Sequence, residues 1–183
     1  MKIGVLRIGI AKKATITQIM EKLAHAFPNT KCSMIENAFP LRKEHFDIKR
    51  NQHHSNAILN EIQSFATRQS DFDRVLGVLN VDIFIPELNF VFGEATCPGK
   101  SALISLYRLN PEFYGNTADL GLFYFRALKE AVHELGHTLG LKHCSRSSCV
   151  MHFSNSINET DKKQSLFCDQ CYKQILISIR RLK

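Results

Sequence analysis

The chain has 183 residues, of which 44% are hydrophobic and 22% are charged. This length supports one globular domain with its own core and is too short for two domains of ordinary size, and the composition excludes a disordered chain. The formal net charge is +7, with 24 basic residues against 17 acidic ones. Because the basic residues are scattered along the chain rather than gathered in one stretch, we expect no nucleic-acid partner.

The sequence has no uncharged apolar run of roughly 18 to 20 residues, the length that spans a bilayer, so we expect no membrane partner. The N-terminal apolar residues predict a β-strand over 2–9 rather than a secretion signal, because Arg7 interrupts the run and no small-residue cleavage site follows. We therefore expect a cytoplasmic monomer. In that reducing compartment its six cysteines are metal ligands or free thiols rather than disulfides.

Apolar residues at helical spacing predict a first helix after this strand. Thr15 and Gln18 have the spacing of a capping box at its start, and Pro28 blocks its extension. A short strand over 31–36 follows, and residues 39–52 are polar without a clear pattern.

Ser55 is the predicted N-cap of a second helix. Alternating apolar residues then predict three strands, over 75–81, 89–92 and 101–107, before a long helix over 119–139. A last helix carries one apolar face, formed by Tyr172, Ile175, Leu176 and Ile179. This order of elements predicts an α/β (α+β) fold in which helices pack on a mixed, twisted sheet.

The long helix carries His133 and His137, which are four positions apart and lie about 40° apart around the helix axis. Both imidazoles can therefore reach one metal ion. Gly140 can adopt the left-handed conformation that ends a helix, and the chain can then turn so that His143 becomes a third ligand. Three neutral imidazoles leave the fourth position of a tetrahedral zinc open for water, which is the arrangement of a catalytic site.

Glu134 adjoins the first of these histidines and is too close to it along the helix to be a natural third ligand. Its carboxylate can take a proton from zinc-bound water and deliver it to the leaving amine of a peptide bond. The sequence thus predicts a zinc-dependent hydrolase with Glu134 as its catalytic residue. Ordinary surface or core histidines are the alternative, but the full His-Glu-x-x-His-x-x-Gly-x-x-His pattern fixes five positions at once.

A group of four cysteines follows the histidines: Cys144, Cys149, Cys168 and Cys171. Four thiolates are the content of a closed structural zinc site, and the N-terminus of the last helix favours the thiolate form of the final pair. A redox Cys-x-x-Cys pair or four unrelated thiols is the alternative.

We expect Cys32 and Cys97 to be buried thiols without a catalytic role. We expect four further histidines at the surface: His25, His45, His53 and His54.

The extended zinc motif resembles that of the metzincin peptidases and matches it in full. A cysteine follows the third histidine at once, a second comes after four residues, a methionine two positions later, and a Cys-x-x-Cys pair closes the pattern, as in the archaemetzincins. These residues are Cys144, Cys149, Met151, Cys168 and Cys171. The resemblance implies two zinc ions per chain, a catalytic one on His133, His137 and His143 and a structural one on the four cysteines.

The same resemblance implies a single metzincin-like domain over 1–183. Its sheet-bearing part with the active-site helix covers 1–140, and 141–183 contains the Met-turn, the four-cysteine site and the C-terminal helix. Met151 is the methionine of that tight turn, an apolar floor beneath the zinc ligands. Some metzincins have a tyrosine shortly after this methionine, but here His152 follows, as a candidate for transition-state stabilisation or as an exposed bystander.

The resemblance also implies that an edge strand before the zinc helix pairs with an extended peptide or protein substrate. The strand over 101–107 occupies that place in the sequence, although an interior strand is equally compatible with it. The implied activity is aminopeptidase-like hydrolysis of small peptides. A zinc-binding module with little or no proteolysis stays open as an alternative. A nucleic-acid module built on the cysteines would leave Glu134 and the three histidines unexplained.

Overall fold

A five-stranded sheet with the order β2-β1-β5-β8-β7 forms the centre of the molecule. The computed structural model describes the backbone of residues 1–182 and the side chains of all of these except Asn37. The sheet strands are β1 (Lys2–Ile8), β2 (Lys31–Phe39), β5 (Arg74–Leu79), β7 (Gly93–Ala95) and β8 (Ser101–Ser105). Only β7 is antiparallel to its neighbour, so the predicted α/β class with a mixed sheet is confirmed.

Helices cover both faces of this sheet. They are α1 (Lys13–Ala26), α2 (Ser55–Arg68), α3 (Leu120–Thr138), α4 (Ile157–Lys162) and α5 (Asp169–Arg180). Ala102 and Ile104 of β8 pack in the core shared with α1 and α3, whereas Leu103 between them packs in the core shared with α2. Burial on both faces is why the central strands have nearly continuous apolar sequences. None of the described helices combines the length and hydropathy needed to cross a membrane.

The predicted helix caps are wrong at both N-termini. Helix α1 begins after Lys12 and has no side-chain cap, so Thr15 lies buried in its first turn and forms no capping box with Gln18. Helix α2 follows His54, and Ser55 is its first residue. The buried hydroxyl of Ser55 donates a hydrogen bond to the Glu94 carboxylate and does not accept one from the backbone N–H groups of the first helical turn.

Two predicted strands lie on the side of the sheet nearest the histidine motif, and one of them needs correction. The strand expected over 89–92 lies a few residues later, as β7. The strand predicted over 101–107, for which an edge place and an interior place were both left open, is β8 and lies inside the sheet, with β5 on one side and β7 on the other. The edge strand that precedes the histidine-bearing helix α3 is therefore β7.

A small second sheet and helix α4 were not predicted. The sheet has the order β3-β4-β6, with β3 (Phe46–Asp47), β4 (Gln52–His54) and β6 (Ile83–Phe84). Strands of two or three residues are too short to show a hydrophobic period in a sequence. This sheet region also holds the imidazole of His45, which is only 11% exposed beside Glu61 and not at the surface as expected.

Helix α5 buries Ile175 and Ile179 as predicted, but its buried face includes Cys171 and not Tyr172. Cys171, Ile175 and Ile179 are buried, Leu176 is half-buried, and Tyr172 is exposed. The helix therefore turns its first-turn cysteine inward, in place of the tyrosine. This orientation brings Cys171 towards the loop that follows α3.

Candidate active site

Helix α3 carries the histidine motif and ends where the sequence predicts. Asp119 caps its start by accepting a hydrogen bond from the Leu122 backbone N–H at 2.9 Å. At its end Gly140 has a φ of +89°, and the Leu141 N–H donates back to the Gly136 carbonyl at 3.2 Å. This left-handed turn reverses the chain within three residues of the helix end and sends His143 back towards the other two histidines.

The three predicted histidines converge on one point. Each offers a ring nitrogen, and the three nitrogens lie within 4.8 Å of one another: His133, His137 and His143. The Nε2 atoms of His133 and His137 are 3.1 Å apart. Two ligand nitrogens on a tetrahedral zinc, at Zn–N distances of about 2.0–2.1 Å, are about 3.3 Å apart. The donor set and its spacing therefore fit a zinc ion.

Backbone carbonyls fix the orientation of the two helical imidazoles. The Nδ1–H of His133 donates to the Val150 carbonyl at 2.8 Å, and that of His137 donates to the Leu141 carbonyl at 2.7 Å. Both rings therefore keep Nε2 unprotonated and directed at the shared point. Burial lowers the pKa of His133 well below its usual value and lowers the pKa values of His137 and His143 as well, so neutral imidazoles are favoured.

Glu134 lies between the histidines and the edge strand. Its side chain is buried, and this burial, together with the nearby carboxylate of Glu130, raises its pKa well above the usual value. On β7, a β-carbon at Gly93 would lie 2.6 Å from the Glu134 Cγ atom, so only glycine allows this approach. The carboxylate is thus held against the edge strand of the sheet.

A cavity of about 500 Å³ contains these groups. Helix α3 forms its floor with the motif residues and Glu130, and the segment 85–95 forms the opposite wall. The segment 153–155 closes one side, where the Phe153 ring packs on the His143 imidazole at 4.8 Å. The Ser154 hydroxyl in this segment is buried and has no hydrogen-bond partner in the described part of the chain.

A buried ion pair at the cavity wall could not be inferred from the sequence. Lys163 follows α4, and its Nζ atom lies 2.9 Å from the Glu130 Oε1 atom, with both side chains almost fully buried. In the sequence, only the position of Glu130, one helical turn before Glu134, indicated a second carboxylate near the histidine motif. No pattern indicated that Lys163, from a distant segment, would pair with it.

Met151 lies directly behind α3, in the tight turn where the resemblance placed it. Its side chain is fully buried, and its carbonyl accepts a hydrogen bond from the Cys144 N–H at 2.8 Å. The next residue, His152, turns its Nδ1 atom to the Cys144 carbonyl at 3.0 Å and does not line the cavity. Of the two roles considered for His152, the geometry favours the bystander.

The four predicted cysteines also come together, with Sγ atoms within 4.8 Å of one another: Cys144, Cys149, Cys168 and Cys171. Burial tends to raise the pKa of Cys168, but hydrogen bonds from the Cys171 backbone and the neighbouring thiols bring it down to about 7. Burial raises the pKa values of Cys149 and Cys171. A cluster of four thiols, one of which ionises easily, is suited to binding a cation. This arrangement argues against the alternative of four unrelated thiols.

The other two cysteines differ from each other. Cys32 is half-buried, and burial raises its pKa to about 11. Cys97 is exposed and lines the cavity that contains the three histidines, with its Sγ atom 3.6 Å from the Leu141 carbonyl oxygen. The expectation of a buried thiol is therefore wrong for Cys97, because the β7–β8 connection bends over the end of α3.

Comparison with known proteins gives one consistent family. The model of Peptidase family M54 matches residues 15–176. The chain is 46% identical over 136 residues to the archaemetzincin of Pyrococcus horikoshii, covering 74% of this chain and 72% of that one. It is 35% identical over 175 residues to the archaemetzincin of Saccharolobus solfataricus, covering 96% and 93% of the two chains.

A solved structure agrees with this assignment. The crystal structure of the archaemetzincin from Methanopyrus kandleri matches with a TM-score of 0.85 and 32% identity, over 99% of this chain and 96% of that one. Sequence and fold therefore point to the same group of proteins. The chain belongs to Peptidase family M54, together with the archaemetzincins, and is a zinc metallopeptidase that acts on peptides or proteins.

Proposed function

We propose that His133, His137 and His143 hold a catalytic zinc and that Glu134 is the catalytic acid–base residue. The observation that carries this proposal is the convergence of three neutral imidazoles beside one buried carboxylate in a single cavity. A zinc ion on three imidazoles acidifies water and polarises the carbonyl of a bound peptide. Glu134 takes the proton from the attacking water and delivers it to the nitrogen of the leaving amine.

The substrate lies along β7. As the edge strand of the sheet, β7 has one side paired with β8 and the other side free for a peptide chain. Backbone hydrogen bonds to an edge strand hold an extended peptide with little dependence on its side chains. Gly93 of this strand touches Glu134, so a peptide paired there brings its backbone next to the catalytic carboxylate.

The four cysteines hold a second, structural zinc. Cys144 and Cys149 come from the loop after α3, and Cys168 and Cys171 from the start of α5. A metal shared by both pairs ties this loop to the last helix, and it fixes the residue directly after His143. The structural zinc thus stabilises the position of His143, the third ligand of the catalytic zinc.

We further propose aminopeptidase-like action on small peptides by a cytoplasmic monomer. None of the six cysteines forms a disulfide in the described part of the chain, and a reducing compartment maintains this state. The test is a peptide-library digest, read by mass spectrometry, with zinc-loaded wild type and the Glu134→Gln variant, combined with metal analysis of both. The proposal expects two zinc ions in each protein and cleavage by wild type alone. Two zinc ions without cleavage of any peptide would favour a binding module instead, and equal cleavage by both proteins would exclude Glu134.

A further inference from the structure

Attack of water on a peptide bond places negative charge on the carbonyl oxygen, and the residues assigned so far give that oxygen no hydrogen-bond donor from the protein. The Nδ1–H groups of His133 and His137 already donate to backbone carbonyls. Glu134 transfers the proton, and His152, the residue after Met151, does not line the cavity. A protein donor must therefore come from the other residues that line the cavity of about 500 Å³ around the histidines, here called the active-site cavity.

Lys163 is the one lysine or arginine among the described residues that line the active-site cavity. The neutral donors there are the side chains of Asn89, Cys97, Ser154 and Asn155. Charge-assisted hydrogen bonds are roughly twice as strong as neutral ones. An oxygen that gains negative charge is therefore stabilised more by the ammonium than by a hydroxyl, amide or thiol.

Three segments fix the position of the Lys163 ammonium. Its Nζ atom lies 2.9 Å from the Oε1 atom of Glu130 on α3, and that oxygen also accepts a hydrogen bond from the Thr160 hydroxyl on α4 at 3.4 Å. The backbone carbonyl of His152 accepts a longer hydrogen bond from Nζ at 3.5 Å. The side chain of Lys163 is only 1% exposed, so it lacks the freedom of a surface lysine.

The Lys163 ammonium has three N–H groups and two acceptors. Glu130 and the His152 carbonyl account for two groups, and no third acceptor lies within hydrogen-bond distance in the described part of the chain. In particular, Glu134 does not pair with Lys163 there. Since buried donors are normally paired, a free N–H group on a residue that lines the cavity points to a hydrogen bond with a bound molecule.

The positive charge of Lys163 acts on the whole histidine motif. Burial is the main cause that lowers the pKa values of the three histidines, and the Lys163 charge lowers all three further. The same charge opposes the increase in the pKa of Glu134 that burial and Glu130 cause. Lys163 is thus near every group that the proposed reaction uses.

The ion pair of Glu130 and Lys163 is neutral, but its two ends face different groups. Burial has the largest effect on the pKa of His137, and of the two charges, which act in opposite directions, Lys163 has the larger effect. Burial also dominates at Glu134, but there the Glu130 carboxylate outweighs Lys163. The ammonium is therefore the end nearer the histidines, where the proposed function places the carbonyl of the substrate.

We propose that Lys163 is a further catalytic residue, whose free N–H group donates a hydrogen bond to the carbonyl oxygen of the scissile peptide bond as negative charge develops there. The inference rests on the proposed peptidase function. The hydrogen bond strengthens with the charge on the oxygen, so it stabilises the transition state more than the bound substrate. Because Glu130 already holds the ammonium in place, the donor needs no rearrangement during the reaction.

A double variant that combines Glu130→Gln with Lys163→Met tests this role. It removes both charges of the ion pair, because Lys163→Met alone would leave a buried carboxylate without its partner. The single variant Lys163→Gln keeps an N–H donor for Glu130 but lacks the positive charge, and it replaces the double variant if that protein does not fold. Thermal melting and metal analysis establish folding and zinc content before any comparison.

Calorimetry with the zinc-loaded proteins gives a measurement that does not depend on turnover. The probe is a phosphinic peptide, whose tetrahedral phosphinate has negative oxygens in place of the reacting carbonyl. The reference is the amide peptide of the same sequence, measured in the Glu134→Gln background. We expect the Lys163 variants to bind the phosphinic peptide at least about tenfold more weakly and the amide peptide as tightly as their parent proteins. An unchanged affinity for the phosphinic peptide, or an equal loss for both peptides, would overturn the proposal.

Lys129→Met is the matched control. Lys129 is a second buried lysine that ties α3 to α4, since its Nζ atom donates to the carbonyl oxygens of Thr160 and Asp161 at 2.9 and 3.0 Å, but it does not line the active-site cavity. We expect its removal to lower the melting temperature without weakening the binding of the phosphinic peptide. An equal loss of affinity in the Lys129 and Lys163 variants would show that Lys163 only holds α4, which contradicts the catalytic role.

Steady-state kinetics separates this proposal from the peptidase function. For a peptide that wild type cleaves, we expect the Lys163 variants to lower kcat by about 10²–10³-fold with little change in KM, as for the loss of an oxyanion donor. An unchanged kcat would leave the peptidase function intact and overturn the role of Lys163. Selective loss of phosphinic-peptide binding, without cleavage of any peptide by wild type, would support the donor and contradict the peptidase function.

Discussion

Gly136 of helix α3 lies directly against Met151, so that a β-carbon at position 136 would come within 2.5 Å of the methionine sulfur. The same β-carbon would lie 3.3 Å from the Phe167 ring. The methionine thus packs on the helix backbone between the two histidines of the motif. This contact explains how a residue that is not a metal ligand supports the metal centre.

Gly136→Ala should destabilise the protein and weaken zinc binding. Alanine gains about 1 kcal/mol of helix propensity, but overpacking a closed core costs about 1–3 kcal/mol, and Met151 has no free space to move into. We expect a melting temperature lower by a few degrees and faster zinc loss to a chelator. Gly121→Ala on the same helix is the control, because its β-carbon would meet only Asp119, at 3.3 Å. Equal stability and zinc retention in Gly136→Ala and wild type would contradict this packing argument.

Glu134→Gln should stabilise the metal-free protein at neutral pH. Burial raises the pKa of this carboxyl in the folded state, well above its usual value of 4.5, so the stability that it contributes is present below pH 4.5 and is lost as the pH rises through the folded-state pKa. We expect the variant to be more stable than wild type at pH 8 and to show no such gain at pH 4. Urea unfolding at pH 8 and pH 4 measures it. A variant that is less stable than wild type at pH 8 would show that the ionised carboxylate is well solvated.

Cys168→Ser should remove the structural zinc and lower the activity indirectly. The loss releases Cys144, the neighbour of His143, and changes that disturb the support of a ligand typically reduce metal affinity or activity by about 10–100-fold. Metal analysis and peptide cleavage measure both effects, and Cys32→Ser, which alters a cysteine outside the cluster, is the control. Full zinc content and full activity in Cys168→Ser would refute the coupling between the two sites.

Thiol labelling should distinguish the two cysteines outside the cluster. Cys97 is exposed, whereas burial raises the pKa of Cys32 to about 11, which leaves about one thiolate in a thousand at pH 8. We expect one fast-reacting thiol per zinc-loaded chain, and its loss in Cys97→Ser. A second fast thiol, assigned by peptide mapping to Cys32, would show that this side chain is accessible.

Local sequence patterns predicted that the three histidines converge and that the four cysteines cluster. His133 and His137 follow from the period of a helix, and Gly140 marks the turn that returns His143, because each of these relationships spans only a few residues. The cysteine cluster followed from spacing in the same way. Residue type and spacing are sufficient to predict which side chains come together when those side chains lie close to one another in the sequence.

The wall of the cavity could not be predicted, because it depends on contacts between distant segments. Strand β7 is only three residues long, and its place at the edge is set by pairing with β8 rather than by its own residues. Lys163 reaches Glu130 from the far side of the cavity, and polar residues outside a motif carry no sign of their partners. Ser55 looked like a helix cap because its hydroxyl partner, Glu94, lies on another element.

The most direct test of the central claim is an anomalous-scattering measurement at the zinc absorption edge on crystals of the zinc-loaded protein. The account predicts two peaks, one bound by His133, His137 and His143 with its remaining coordination open to solvent, and one among the four cysteine sulfur atoms. A His143 imidazole turned away from the first peak, or a fourth protein side chain bound to that ion, would contradict the account.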